Sequence, residues 1–185
     1  MAGDDIIFTA RELNERAAYA TNDELDWLAE WARAHAGAQV VMIGAGPGVM
    51  ALAMLETDAD FSLTVVENDT FQWLIAHAEK AGLLPDDRRR LSMRLGASAA
   101  IGERWTWPPL DLLIVDGDHS YTGARADILA WWRHVRSGGV VVFHDYHRTL
   151  DDGPTGVREA VEALRGATWE FVADIGISRI YRKTA

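Results

Sequence analysis

Four short stretches of this chain carry residue types that could do chemistry together. The first is Gly44-Ala45-Gly46-Pro47-Gly48, three glycines at alternate positions after the apolar run Gln39-Val40-Val41-Met42-Ile43. The second is Glu67, closing Phe61-Ser62-Leu63-Thr64-Val65-Val66. The third, Asp116-Gly117-Asp118-His119-Ser120-Tyr121, follows Leu112-Leu113-Ile114-Val115; the fourth, His144-Asp145, follows Val140-Val141-Val142-Phe143. Glycine lets a ligand press against backbone where a Cβ would block the approach. A carboxylate accepts two hydrogen bonds at once, the geometry a ribose diol requires, so Glu67 is a ribose candidate. Imidazole, with an ordinary pKa of about 6.5, exchanges protons near neutrality. Two carboxylates with an imidazole also suit Mg²⁺, Mn²⁺ or a similar divalent ion.

Every one of these stretches sits at the end of a short, β-branched apolar run, the pattern of a strand buried on both faces. The residues around them supply the remaining elements. A short helix is expected over 9–20, and a second starting near Asn22 as N-cap and stopped by Gly37, with Leu25, Leu28, Trp31 and Ala32 at helical spacing. A helix follows the glycines, another spans about 70–81, and Arg90–Leu95 gives a third strand ending in Gly96-Ala97-Ser98. Residues 99–110 read as a short helix and a loop holding Trp105 and Trp107. The next helix is expected from Tyr121 to Val135, with Ala124, Ile128, Trp132 and Val135 on one face and Gly138-Gly139 ending it. A long loop, 144–155, then leads to a helix over 156–165. The runs from Trp169 and from Ile177, separated by Asp174-Ile175-Gly176, form an antiparallel hairpin. Strand and helix thus alternate five times. That pattern is α/β: a doubly wound, mostly parallel sheet with helices on both faces and an antiparallel end.

Composition narrows the partners. The chain has 185 residues, no cysteine and a formal net charge of −10. Disulfides, thiolate zinc sites and a cysteine nucleophile are excluded together. Nucleic-acid binding needs clustered Lys and Arg to displace counterions, and the one short basic run, Arg88-Arg89-Arg90, adjoins Asp86 and Asp87. No apolar stretch reaches the roughly 18 residues of a membrane span, and no signal peptide is visible. A cytoplasmic protein acting on a small molecule, with neither nucleic acid nor membrane as partner, is the expectation.

Taken together, Gly44-x-Gly46-x-Gly48, Glu67, Asp116 to Tyr121 and the terminal hairpin resemble a class I methyltransferase dependent on S-adenosylmethionine, from about residue 38 to the end. Ile114–Tyr121 and Gly138–Tyr146 resemble more closely the small bacterial O-methyltransferases of the macrocin and catechol-like type, some of them metal-dependent. The resemblance implies a seven-stranded Rossmann-like sheet with a C-terminal antiparallel hairpin, in one domain over 1–185: N-terminal helices over 1–37 and a cofactor-binding core over 38–185. It further implies methyl transfer to a hydroxyl of a small-molecule acceptor. Two departures stand out. Met42 occupies a position that is usually acidic, two before the first glycine. His119 replaces the lysine of the catechol type, and His144-Asp145 its Asp-Asn pair.

The implied cofactor contacts are Gly44, Ala45, Gly46, Gly48, Glu67, Asn68 and Asp116, with Ala97 and Ser98 bordering the adenine. Asp116 and His119 are the catalytic candidates, His119 as general base, since the acceptor oxygen must be positioned and lose its proton. The plainer alternative for His119 is a bond to its own loop or to Tyr121. Asp116, Asp145 and His144 are the metal candidates; without metal, Asp145 would orient His119 or His147. Asp118 or Ser120 would cap the following helix. Trp105 and Trp107 could flank adenine or acceptor. The acceptor wall would come from the N-terminal helices and the 99–110 and 146–155 loops, and a homodimer in which a neighbour closes the site is one expectation. Two other function classes remain open: an NAD-dependent oxidoreductase, although residue 49 is Val where the dinucleotide fingerprint has its third glycine, and a non-catalytic cofactor-binding protein.

Overall fold

The computed structural model describes residues 9–83, 90–150 and 153–185. Five strands run parallel: β1 (Ala38–Ile43), β2 (Phe61–Glu67), β3 (Leu91–Leu95), β4 (Leu110–Val115) and β5 (Val135–Phe143). A closing hairpin, β8 (Trp169–Ile175) and β9 (Ser178–Lys183), adds two antiparallel strands, β9 against β5. The order across the sheet is β3-β2-β1-β4-β5-β9-β8. Between β5 and the last helix lie two two-residue strands, β6 (Thr149–Leu150) and β7 (Gly153–Pro154). The seven-stranded sheet with its antiparallel end is as expected, and so is the doubly wound topology.

Alternation along each buried strand splits the core in two. Val40, Met42, Leu63, Val65, Leu112 and Ile114 face the layer of α1 (Ala10–Ala17), α2 (Asn22–Ala34), α3 (Val49–Leu55) and α4 (Gln72–Lys80). Val41, Ile43, Leu113, Val115, Val141 and Phe143 face the layer of α5 (Ser98–Glu103), α6 (Tyr121–Trp131) and α7 (Gly156–Leu164). α3 is buried at every position, which explains its unbroken apolar sequence.

Local chemistry shifts several boundaries. α2 is capped by Thr21, not Asn22: Thr21 Oγ1 accepts from the Glu24 amide at 3.3 Å while Glu24 Oε2 accepts from the Thr21 amide at 2.7 Å. Thr9 and Glu12 cap α1 in the same way. The helix expected to reach Val135 ends at Trp131; a 3₁₀ turn, Trp132–His134, follows and β5 already starts at Val135. Its buried stripe is Ala124, Ile128 and Trp131, while Trp132 stacks on Trp169 at 4.0 Å. Gly138-Gly139 lies inside β5, where a Cβ on Gly139 would stand 2.8 Å from the Leu110 carbonyl oxygen; the glycine permits the strand to close on β4. The 144–155 segment, expected as plain loop, holds the small β6–β7 pair.

Of the basic run, Arg88 and Arg89 lie outside the described residues. Arg90 donates to the carbonyls of Leu55, Thr57 and Ala59, so it pins the end of α3. Among the described residues, no helix is long and apolar enough to cross a membrane.

Candidate active site

The chain runs outward from β1 to β2 and β3, then returns to β4 on the other side of β1. At such a switch point the loops after the strands part and leave a crevice at their carboxyl ends. Register brings the chemistry level there: the amides of Gly44, Asp116 and His144 donate to the carbonyls of Val66, Ile43 and Val115 at 2.9, 2.9 and 3.1 Å. Gly44, Glu67, Asp116 and His144 therefore begin the loops of four adjacent strands at one height. The crevice holds about 730 Å³.

The three glycines divide the work. A Cβ on Gly44 would sit 2.1 Å from the Asp116 carbonyl oxygen, so the β1 and β4 turns could not meet. A Cβ on Gly48 would sit 2.5 Å from Leu74 Cδ1, so this glycine docks α3 against α4 and does not line the cleft. Gly46, with φ +49°, has nothing within 4 Å of the position of a Cβ and opens to the cleft. The turn is held from behind by His77 Nδ1 at 2.8 Å from the Pro47 carbonyl oxygen.

Glu67 stands at the rim of β2 with Oε2 accepting from the Ala45 amide at 3.1 Å and Oε1 from the Asn68 amide at 2.8 Å. Ala45, Asn68, Ala97 and Ser98 also line the cleft. Met42 does not: it is fully buried in the α1–α4 layer, so the partner of a bound amino group lies elsewhere in the cleft.

On the β4–β5 side Asp116, Asp145 and His144 converge as expected, and His119 joins them. His144 Nδ1 is 2.8 Å from Asp116 Oδ1. His119 Nε2 is 3.1 Å from Asp145 Oδ2 and 3.6 Å from Asp116 Oδ1, with 41% of its side chain exposed to the cleft. Asp145 is fully buried and carries φ +58°, an uncommon backbone state for a non-glycine residue; Thr155 Oγ1, donating to its carbonyl at 2.7 Å, helps hold it. Arg148 Nη1 adds a contact to its carboxylate at 3.3 Å. Ser120 caps α6, accepting from the Gly123 amide at 3.1 Å, and Asp118 accepts from the Ser120 amide at 2.8 Å, so the capping role falls to Ser120.

Electrostatics follow from burial and pairing. Burial alone would push the Asp116 carboxyl up, but the His144 and His119 rings outweigh it and hold it low. His144 is nearly inaccessible; burial disfavours its charge, yet Asp116, Glu24 and Asp145 raise it to about 9. His119 is raised too, by its contact with Asp116 first, against the opposing effect of burial, and by the charges of Asp145 and Asp116. Both rings are drawn toward their protonated forms by the carboxylates around them.

Asp116, His144 and Asp145 can each offer one ligand atom, all within 4.8 Å of one another. Oxygen and imidazole donors at that separation fit a divalent cation. His144 is turned suitably for it: Nδ1 faces the cluster, while Nε2, buried without a hydrogen-bond partner, points at Glu24 Oε1 3.7 Å away. A carboxylate behind a ligating imidazole is the usual means of fixing its tautomer.

Two site residues escaped sequence reasoning. Glu24 was legible only as first-turn charge, yet it is buried and also receives a close hydrogen bond from Ser178 Oγ. Asp127 lies on the buried stripe of α6, three residues after Ala124 and four before Trp131, and a helical projection would have exposed it as an acid among apolar neighbours. In the other direction, Trp105 and Trp107 do not reach the cleft; their rings pack 5.1 Å apart beside Arg94, whose guanidinium lies 4.2 Å from the Trp107 ring.

A family model for a methyltransferase domain matches residues 41–146, the span from the middle of β1 to the end of the acid–base cluster. The chain belongs to the methyltransferase-domain family. Its fold agrees with solved members of the class I group, which use S-adenosylmethionine. A proposed O-methyltransferase from Klebsiella pneumoniae superposes with a TM-score of 0.76 at 20% identity, over 100% of this chain and 92% of that one. An O-methyltransferase from Bacillus cereus, solved with S-adenosylhomocysteine, gives 0.73 at 15% identity over 95% and 89%. The O-methyltransferase TomG from Streptomyces achromogenes, solved with S-adenosylmethionine, gives 0.68 at 17% over 95% and 88%. In this methyltransferase the glycine turn, Glu67 and the acid–base cluster all fall at the sheet's switch point.

Proposed function

We propose that this methyltransferase binds S-adenosylmethionine in the switch-point cleft and transfers its methyl group to a hydroxyl of a small molecule. The observation that carries this is the grouping at one height of an open glycine turn, a rim carboxylate and the cluster of Asp116, His144 and Asp145, against which the cleft-facing imidazole of His119 rests. Gly46 leaves room for a ligand against the backbone, and Glu67 keeps lone pairs for a ribose diol while its two backbone bonds fix its orientation.

Asp145 accepts at His119 Nε2, which leaves Nδ1 with a lone pair to take the proton of an acceptor hydroxyl. The surrounding carboxylates stabilise the imidazolium that results. Asp116, Asp145 and His144 would hold a divalent cation; when bound, such an ion orients an acceptor oxygen and lowers its pKa. Tyr19 and Arg148 both line the cleft, in the N-terminal segment and the 146–155 loop expected to supply the acceptor wall.

Calorimetry with S-adenosylhomocysteine and NAD side by side tests the cofactor. Binding of the former with no NAD uptake is expected; NAD binding alone would overturn the reading. For the cation, Mn²⁺ titration followed by electron paramagnetic resonance should show one tight site that Asp145→Asn weakens at least tenfold, and no uptake by the wild type would remove the metal from the proposal.

A further inference from the structure

Beside the cleft a second hollow of about 440 Å³ opens between the end of β3, α5 and the loop after it, and it shares only Gly96 and Ala97 with the cleft. Ile101 of α5 gives it an apolar wall. Trp105 and Trp107 stand on the loop with their rings 5.1 Å apart, and Trp107 is 43% exposed. Arg94 on β3, Arg104 closing α5, and Thr106 line it as well. The Arg94 guanidinium lies over the Trp107 ring, 4.2 Å from its centre. The proposed methyl transfer uses none of these side chains.

The charge here runs against that of the molecule. The chain carries 28 acidic and 18 basic residues, yet among the described residues no acidic side chain lines this hollow. Neither Arg94 nor Arg104 takes part in an ion pair or a side-chain hydrogen bond among those residues. The Trp105 indole N–H, a third donor in the same wall, is buried with no hydrogen-bond partner. Two like charges around one hollow repel each other, and an anion between them turns that repulsion into attraction. A guanidinium stacked on an indole is held flat, with its N–H edges left to grip a carboxylate or phosphate in two-point fashion. Shielding of Trp107 would account for Arg94 alone. It gives no reason for Arg104 to join it or for every acid to stay away.

We propose that this hollow is a second ligand site, which takes a small oxyanion carried on a flat aromatic body. Arg94 and Arg104 hold the anionic group, and the body lies against Ile101 and the two indoles. Its volume suits a ligand of one or two fused rings.

The test is calorimetry near neutral pH with four probes: naphthalene-2-carboxylate, 2-naphthyl phosphate, the neutral naphthalene-2-carboxamide and inorganic phosphate. Both naphthyl anions should bind at least about tenfold more tightly than the carboxamide, which keeps the shape without the charge. They should exceed inorganic phosphate, which has the charge without the rings, by a similar factor of about ten. The tighter of the two anions tells whether the natural group is a carboxylate or a phosphate. Arg94→Met and Arg104→Met should each weaken both anions by about tenfold, while Arg148→Met, which removes an arginine of the main cleft, should leave them within about twofold. A wild type that binds carboxylate and carboxamide equally overturns the assignment with no variant needed, and so does inorganic phosphate bound as tightly as the naphthyl phosphate. Binding that survives both arginine variants, or that falls with Arg148→Met instead, overturns it by placing the probe elsewhere. The proposal stands apart from the cofactor reading, and its failure would leave that reading untouched.

Discussion

His119 is the side chain on which turnover should depend most at the residue scale. Its Nε2 is engaged by Asp145 at 3.1 Å and the ring is open to the cleft, so removing it takes away the proposed proton acceptor and leaves the glycine turn and Glu67 in place. His119→Ala should lower turnover by about 100-fold or more, the usual contribution of a general base, with S-adenosylhomocysteine affinity within about twofold of wild type. Labelled-methyl transfer to a panel of hydroxylated small molecules reads the first and calorimetry the second; retained turnover would exclude the base. Because its pKa is raised, the acid limb of the rate profile should lie above the ordinary value of about 6.5, rate increasing with pH as the ring loses its proton. Glu67→Gln keeps the shape and one acceptor oxygen but loses the charge, and should weaken the same ligand by about tenfold. These residues were readable because each follows a short apolar run, which fixes its place at a strand end without knowledge of distant contacts. Glu24 was not readable as a site residue, because only packing reveals that an acid in the first turn of a helix faces inward, whereas a helical projection sets Asp127 among apolar neighbours.

At the element scale, the register of β1, β2, β4 and β5 aligns the loops, and α7 then props the loop that carries His119, the proposed base. The Gly156 amide, at the first residue of α7, donates to the His119 carbonyl at 3.0 Å. A Cβ on Gly156 would fall 2.0 Å from the Tyr121 amide nitrogen, backbone against backbone, so Gly156→Ala must push α7 away from the start of α6. Overpacking of this kind costs about 1–3 kcal/mol. Thermal unfolding should show that loss, and turnover should fall with it; an unchanged midpoint would mean that α7 relaxes freely and does not brace the site. Element types were legible from periodicity, but boundaries were not wherever two patterns overlap. Ala124, Ile128 and Trp131 compete with Trp132 and Val135 for the same helical stripe, and the sheet resolves the contest by drawing Val135 into β5. Gly138-Gly139 looked like a helix stop because glycine marks both helix ends and strands that pass close to a neighbour.

On the scale of the whole molecule, one buried polar chain joins the N-terminal helix layer, the hairpin and the site. Ser178 on β9 bonds Glu24 on α2, Glu24 faces His144 after β5, and His144 bonds Asp116 after β4. Folding is thereby linked to the charge on His144. Its folded-state value of about 9 exceeds the unfolded value of about 6.5, so its stabilisation is complete below about pH 6.5 and lost as pH rises through about 9. Urea midpoints of the wild type should fall across that window, while those of His144→Asn stay comparatively flat; parallel profiles would show that the ring is not charged in the fold. The same window tests the cation. A metal ligand must present Nδ1 without a proton, so a cation bound there displaces the proton that produces the slope, and its affinity rises with pH. With saturating Mn²⁺ the alkaline loss of stability should disappear. If Mn²⁺ raises the midpoints but leaves the slope intact, the carboxylates alone hold the ion and His144 serves as the counter-charge to Asp116.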